Sequence, residues 1–426
     1  MERDDISKEI KSMIEQNRDG ILRLGRELFH CPEPGFKEVK SNQILTSFLF
    51  QNGIPCRNDI AVTGIRADIG NGDGCHIALA ADMDALLIKK GEETCSIHSC
   101  GHSIQTAVMA YVLKMLKDSG LAERLGGSVS FIATPAEEFI DLDYRRELVR
   151  QGKIRYMSGK QNMIADGVFD DIDCVLSMHI NGDQGTLFDV GSTLAGFMVK
   201  RAVFLGEASH SGAAPHLGRN ALHGASLCMD AIAYMKDQFP KEAGLQIHPV
   251  LTACSGGVNI IPDEAVLESY IRANTLDELL TAGEKFDRCA VHCAEALGLG
   301  CRIENETGYM PLKQSDEINA VVYNNMKELC REDQIVKNVV SGASGDVGDL
   351  GYLLPTVQFG FSGVKGRIHS TEFQVEDEEN AYIRTAQLVM QTVCDLLQDP
   401  GFRINRSDFA ERKAFYLKNW LRQPED

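Results

Sequence analysis

The chain has little of what marks several broad protein classes. No stretch of about 18 apolar residues occurs in its 426 residues, so no segment reads as a membrane-spanning helix. The opening MERDDISKEIKSMIEQ is charged and amphipathic and lacks the apolar core of a secretory signal, which predicts a cytoplasmic protein. Positive charge is scarce: 43 Lys and Arg stand against 61 Asp and Glu, a net charge of -18, with no basic cluster to meet a polyanion. Nucleic acid and membrane surfaces are therefore not expected partners. No Cys-x-x-Cys pair occurs among the 13 cysteines, which argues against a structural zinc knuckle. In a long chain without an export signal they read as reduced thiols. Low-complexity stretches and internal repeats are absent as well.

What is present is an ordinary globular composition, 44% hydrophobic and 24% charged. The chain is longer than one hydrophobic core usually grows, so two domains are expected. A polar helix opens it and a second helix follows near Val39 to Asn52. The apolar strand His76-Ile-Ala-Leu-Ala-Ala81 then runs into Asp82-Met-Asp84. A helix from Ser103 to Ser119 leads to the strand Gly127 to Ala133 and to Pro135-Ala-Glu-Glu138; Cys174-Val-Leu-Ser-Met178 leads to His179. Three strands each ending in polar groups is what a parallel sheet delivers at its carboxyl edge, where open α/β folds place ligands.

After Thr186 the pattern changes to strand, helix, strand, helix: Met198 to Leu205, Asn220 to Asp237, Val266 to Ala273, Leu276 to Leu297. This suits a smaller α+β layer. The helix Glu317 to Glu332, the turn Ser341 to Asp346, the strand Pro355 to Phe361, His369 and a closing helix from Glu376 to Leu397 resume the first domain. The expected fold is thus α/β, a catalytic domain with a mostly parallel central sheet (1–188 and 307–426) and an inserted smaller α+β domain (189–306).

The strongest local signal is Ser96-Ile-His-Ser-Cys-Gly-His-Ser103, which sets a thiol and an imidazole two residues apart across a glycine. Alone, such a triplet also arises without any metal. Glu137 and Glu138 stand at a strand end, where adjacent side chains diverge enough for one to bind a metal and the other to face the water that the metal activates. His179 follows an apolar run and His369 lies in Gly366-Arg-Ile-His-Ser-Thr371. Each histidine alone has a structural explanation, but Cys100, His102, Glu138, His179 and His369 together form a donor set suited to zinc or another borderline cation. A cysteine nucleophile built on Cys100 and a histidine would need no metal, and chelation separates the two chemistries.

In order along the chain, Pro32-Glu33, Asp82-Met-Asp-Ala-Leu86, His98-Ser-Cys-Gly-His102, Pro135-Ala-Glu-Glu138, Met178-His179, His210-Ser-Gly-Ala-Ala-Pro-His216, Asn259-Ile-Ile-Pro-Asp-Glu264, Asp346 and His369-Ser370 resemble the co-catalytic metallopeptidases. These include aminoacylases and glutamate carboxypeptidases, and the likeness is to the amidohydrolase branch with hippurate, auxin-conjugate and aminobenzoyl-glutamate hydrolases. The resemblance implies two divalent metal ions, zinc or manganese ahead of cobalt or nickel, with Cys100 shared between them and His102, Glu138, His179 and His369 completing the ligands. Glu137 would be the general base and Asp84 the carboxylate that orients a ligand. The inserted part resembles a lid and dimerisation domain, with His210 steadying the tetrahedral oxyanion and Asn259 and Arg272 holding a substrate carboxylate. The implied substrate is a small N-acyl amino acid, aminobenzoyl-amino acid or dipeptide-like amide, and the implied assembly a homodimer or higher homo-oligomer through the inserted domain. Ser103 and Gln105 depart from the family's usual Asp and His. Ser103, together with Lys90 where many members carry Glu, motivates the other reading, a family-fold protein that binds small molecules with weak or no catalysis.

Overall fold

The computed structural model describes residues 2–70, 72, 74–90, 93–181, 185–399 and 404–421. The chain forms two compact units: one holds the residues up to Ser192 with 313–340 and 349–417, the other 193–312, 341–348 and the residues from Lys418 onward.

The first unit is built on an eight-stranded sheet. Its strands in chain order are β1 (Cys56–Ile60), β2 (Gly64–Gly70), β3 (His76–Asp82), β4 (Ser128–Thr134), β5 (Cys174–Ile180), β6 (Phe188–Val190), β7 (Ile335–Lys337) and β8 (Thr356–Phe361). Across the sheet they run β1-β2-β4-β3-β5-β8-β6-β7. The block β4-β3-β5-β8 is parallel throughout, as are β6 and β7. The pairs β1/β2, β2/β4 and β8/β6 are antiparallel.

Ile77 to Ala81 of β3 are all fully buried, as a strand covered on both faces requires. One covering helix, α1 (Arg3–Phe29), buries Ile6, Ile10, Ile14, Ile21, Leu24 and Leu28 along one stripe, each side chain contributing roughly 1.5–3 kcal/mol. It packs on α2 (His102–Ser119) and α3 (Thr385–Gln398), both lined with buried apolar side chains. Gly120, at φ +64°, ends α2 in a left-handed cap.

Because the central block is parallel, the carboxyl ends of β3, β4, β5 and β8 share one edge. Register fixes their heights, with Asp82 opposite Thr134 and His179 opposite Gly360. Asp84, Glu137 and Glu138 follow directly from this edge.

The second unit is an antiparallel four-stranded sheet in the order Gln246–Cys254, Glu264–Ala273, Gly196–Leu205, Gly300–Thr307. The helices Ala221–Met235 and Leu276–Ala296 pack on each other and on the sheet. Strands Gln246–Cys254 and Gly300–Thr307 are not anticipated by the sequence patterning. The first is an edge strand exposed along most of its length, so it lacks the alternation that marks a half-buried strand.

Candidate metal centre

Gly101 makes the centre possible. It sits at φ +82° as the N-cap of α2, turning the chain so that Cys100 and His102 face the same region, and a Cβ there would press to 3.2 Å of Ile180 Cβ. Cys100 Sγ stands 3.2 Å from His179 Nε2 and 3.2 Å from His369 Nε2. His179 comes from the end of β5, and its Nδ1 is 2.9 Å from the Ile180 carbonyl, leaving Nε2 to face the thiol. His369 is carried by a loop whose backbone adopts φ +62°, and its N–H donates to Ser99 O at 3.0 Å. Strain of this kind collects at functional sites.

The carboxylates enter from the end of β4. Glu138 Oε1 lies 3.4 Å from His369 Nε2, and Glu137 Oε2 lies 3.8 Å from His102 Nε2. His102 turns its other nitrogen to Asp84, 2.9 Å from the main-chain oxygen and 3.2 Å from Oδ1. Asp84 Oδ2 accepts from the Glu138 N–H at 3.0 Å.

Three overlapping donor groups result: Cys100, His102 and His179; Cys100, Glu138 and His369; His102, Glu137 and Glu138, each with its atoms within 4.8 Å of one another. The buried atoms His102 Nε2 and Glu138 Oε1 have no hydrogen-bond partner among the described residues. Buried polar atoms rarely stay unpaired, and a thiol, imidazoles and carboxylates converging with orphaned donors fit divalent cations. Cys100, His102 and Glu138 each belong to two of the groups, and Cys100 is the one that stands 3.2 Å from both His179 and His369, as a donor shared between two ions would.

Electrostatics follow from burial. The Cys100 thiol is pushed up by burial and by the charge of Glu138. Burial opposes charge on His102, but the Asp84 carboxylate and Cys100 outweigh it and hold the imidazole well above its ordinary value. His179 is pushed down by burial and by His102. His98, behind the site, is pushed down to about 4 by burial first and His102 second.

At the two departures, Gln105 Oε1 accepts from the Asp82 N–H at 3.1 Å, and Ser103 is buried, its hydroxyl without a hydrogen-bond partner among the described residues. His102 Nδ1 is engaged by Asp84, so it makes no demand on position 103.

Thus Cys100, His102, Glu137, Glu138, His179, His369 and Asp84 are brought together in the first unit. His210, Asn259 and Arg272 belong to the second. His210 Nδ1 accepts from the N–H groups of Gly212 (3.2 Å) and Ala213 (3.0 Å), and the Ser211 N–H donates to Asn259 O at 3.0 Å, so His210 and Asn259 are neighbours where the short strands Ser209–His210 and Ile260–Ile261 pair. Arg272 donates to Gly342 O at 2.9 Å, and its guanidinium lies 6.0 Å from the Phe197 ring centre.

Residues 78–395 match the profile of Peptidase family M20/M25/M40. The chain belongs to that family. It is 26% identical over 293 residues to an IAA-amino acid hydrolase of Arabidopsis thaliana, a match covering 64% of this chain and 62% of that protein. It is 26% identical over 397 residues to the N-acetyl-L-cysteine deacetylase of Bacillus subtilis, covering 88% of each. A dinuclear metal binding M20 peptidase of Bacillus subtilis shares the fold, with TM-score 0.69, 20% identity, and coverage of 91% of this chain and 99% of that one. The M20 chain described here is accordingly a hydrolase with a mixed α/β fold. No helix among the described residues is long and apolar enough to cross a membrane.

The sequence patterning misses several buried partners of the M20 centre. Glu38 is fully buried and accepts from the Ala136 N–H at 2.9 Å. Arg145 reaches the main-chain oxygens of Ala136 and Glu138. Lys160, fully buried, pairs with Asp82. Glu38 and Lys160 act across 98 and 78 positions and Arg145 from a neighbouring helix, and since burial of a lone Lys, Arg or Glu is not written in the sequence, no local signal announces them.

Proposed function

We propose that this M20 chain hydrolyses the amide bond of a small N-acyl amino acid, aminobenzoyl-amino acid or dipeptide-like substrate. Two divalent ions, zinc or manganese, would be held by Cys100, His102, Glu138, His179 and His369. The observation that carries this reading is Cys100 Sγ at 3.2 Å from two imidazoles while belonging to two donor groups. When bound, such ions lower the pKa of water and polarise a carbonyl.

Glu137 takes the proton of the attacking water and delivers it to the departing nitrogen, which leaves as an amine while the acyl carbon gains the oxygen. Asp84 fixes the tautomer and orientation of His102. From the second unit, His210 has Nδ1 occupied by two N–H groups, so its Nε2 carries the proton it would offer a developing oxyanion. Asn259 and the unspent N–H groups of Arg272 would bind the substrate carboxylate. Thirteen cysteines, none of them in a disulfide among the described residues, support a reducing, cytoplasmic setting. A homodimer through the second unit is supported by the edge strand Gln246–Cys254, where Val250 is 57% exposed.

The test is a screen of metal-reconstituted protein against N-acyl amino acids, dipeptides and aminobenzoyl-glutamate, with metal content measured on wild type and Cys100→Ala. Amide hydrolysis abolished by chelation, with metal lost from the variant, is the expected result. Turnover surviving exhaustive chelation would favour a thiol nucleophile. Metal-replete protein that binds but turns over none of these amides would favour the binding role.

A further inference from the structure

Between Glu138 and Ser158 the chain makes a detour, the helix Leu142–Arg150, whose Leu148 packs with Phe36, Ala136 and Ile154 in a small core of its own. Its Arg145 side chain is buried. The guanidinium lies 5.5 Å from the Phe36 ring centre. Nη1 donates to Met157 O at 2.6 Å and to Ala136 O at 3.3 Å, and Nη2 donates to Glu138 O. Among the described residues no carboxylate comes within ion-pairing distance of it. Its Nη groups are thus spent on carbonyl oxygens, with the Phe36 ring beside them and a longer-range attraction to the Asp84 carboxylate in place of a direct ion pair, an arrangement with a large desolvation cost.

Its two site-directed bonds go to the residues on either side of Glu137. The same segment is gripped from the opposite side, where the Ala136 N–H donates to Glu38 Oε1 at 2.9 Å and the Glu138 N–H to Asp84 Oδ2 at 3.0 Å. Both amide hydrogens and both carbonyls flanking Glu137 are therefore fixed. Ala136 needs this, since it sits at φ +55°, a conformation an alanine leaves when nothing holds it.

We infer that Arg145 is a positioning residue: its buried fork spans Ala136 O and Glu138 O and sets the divergent orientations in which Glu138 meets the metal and Glu137 faces the water. The inference rests on the roles proposed above for these two glutamates. The same geometry accounts for an arginine at this position. A planar guanidinium straddles two carbonyls of one turn from fixed N–H directions, whereas a lysine ammonium is a point donor on a flexible stem.

The test compares wild type with Arg145→Gln, Arg145→Lys and Leu148→Ala, the last loosening the same helix without touching the carbonyls. Zinc and manganese affinities are measured by chelator competition, kcat and KM on the best amide from the screen, and folding by circular dichroism and melting. Arg145→Gln should bind metal about 10- to 100-fold more weakly, with kcat falling and KM nearly unchanged. Arg145→Lys should recover part of both. Leu148→Ala should lower the melting temperature with metal affinity intact. If Arg145→Gln does not fold, Arg145→Lys decides, a loss of metal affinity and kcat at wild-type secondary structure being expected.

Wild-type metal affinity and kcat in the folded Arg145 variants would overturn the inference, as would an equal loss of metal affinity in Leu148→Ala. Glu138→Ala separates the two layers. Metal lost from Glu138→Ala but retained in Arg145→Gln refutes the positioning role alone, while a wild-type chain that binds no divalent ion refutes both.

Discussion

His102 Nδ1 lies 2.9 Å from the main-chain oxygen of Asp84 and 3.2 Å from its carboxylate. That double contact commits the inner nitrogen and leaves Nε2 facing Glu137. Burial alone would raise the Asp84 pKa, yet the hydrogen bond and charge of His102 hold it below the usual carboxylate range. Asp84→Asn keeps the shape and the main-chain contact but removes the charge. It should weaken metal binding about 10- to 100-fold in a chelator competition. An affinity equal to wild type would show that the main-chain oxygen alone orients the ring.

Glu137 and Glu138 differ by one position but face different partners, His102 for the first and His369 for the second. Glu137→Gln should therefore retain its metal, read by elemental analysis, while kcat falls about 10²- to 10⁴-fold, the range expected for loss of a positioned general base. Metal loss comparable to that of Glu138→Ala would move Glu137 from base to ligand.

How much of this centre the sequence discloses depends on what holds each part. Strand ends were legible, because five consecutive buried apolar residues in β3 followed by Asp82-Met-Asp84 admit few other readings, and a parallel block places all such ends on one edge. The five candidate donors Cys100, His102, Glu138, His179 and His369 are grouped by the sequence patterning, and the structure brings them together in overlapping groups. The partners that aim them were not legible. Glu38 reaches Ala136 across 98 positions, and Lys160 reaches Asp82 across 78. No local periodicity encodes such contacts. The antiparallel β1 escaped for another reason: it has no fully buried residue, so the apolar alternation that betrays a strand is missing. The closing helix, expected from Glu376, starts as a π-helical stretch at Glu379–Arg384 before α3, a change of winding that residue types do not announce.

The Lys160–Asp82 pair lies under the centre, and the Asp82 backbone is held by Gln105 and Thr106. Lys160→Met should destabilise the fold by about 3–5 kcal/mol, because it strands the Asp82 charge in the interior. The pair Lys160→Met with Asp82→Asn should regain most of that loss, since both charges then go together. Denaturant melts of the two single variants and the double variant complete the cycle. Additive losses would mean that the two side chains stabilise the fold independently.

Glu38 gives the chain a pH dependence whose sign can be fixed in advance. Burial, and then the charge of Asp84, push its carboxyl up from 4.5 to about 8 in the folded protein. The folded chain thus keeps a proton that the unfolded chain releases near its ordinary value. The stability this proton contributes is complete below the unfolded pKa and is lost as pH rises through the folded one, between about 4.5 and 8. Glu38→Gln cannot titrate, but its amide oxygen can still accept from the Ala136 N–H. The wild-type melting temperature, measured with both proteins carrying the same metal, should therefore fall relative to the Gln variant as pH is raised from 5 to 8.5, other titrations cancelling in the difference. Parallel melting curves across that window would place the Glu38 charge in the folded state throughout, and the grip on Ala136 would then be made by a carboxylate rather than a carboxylic acid.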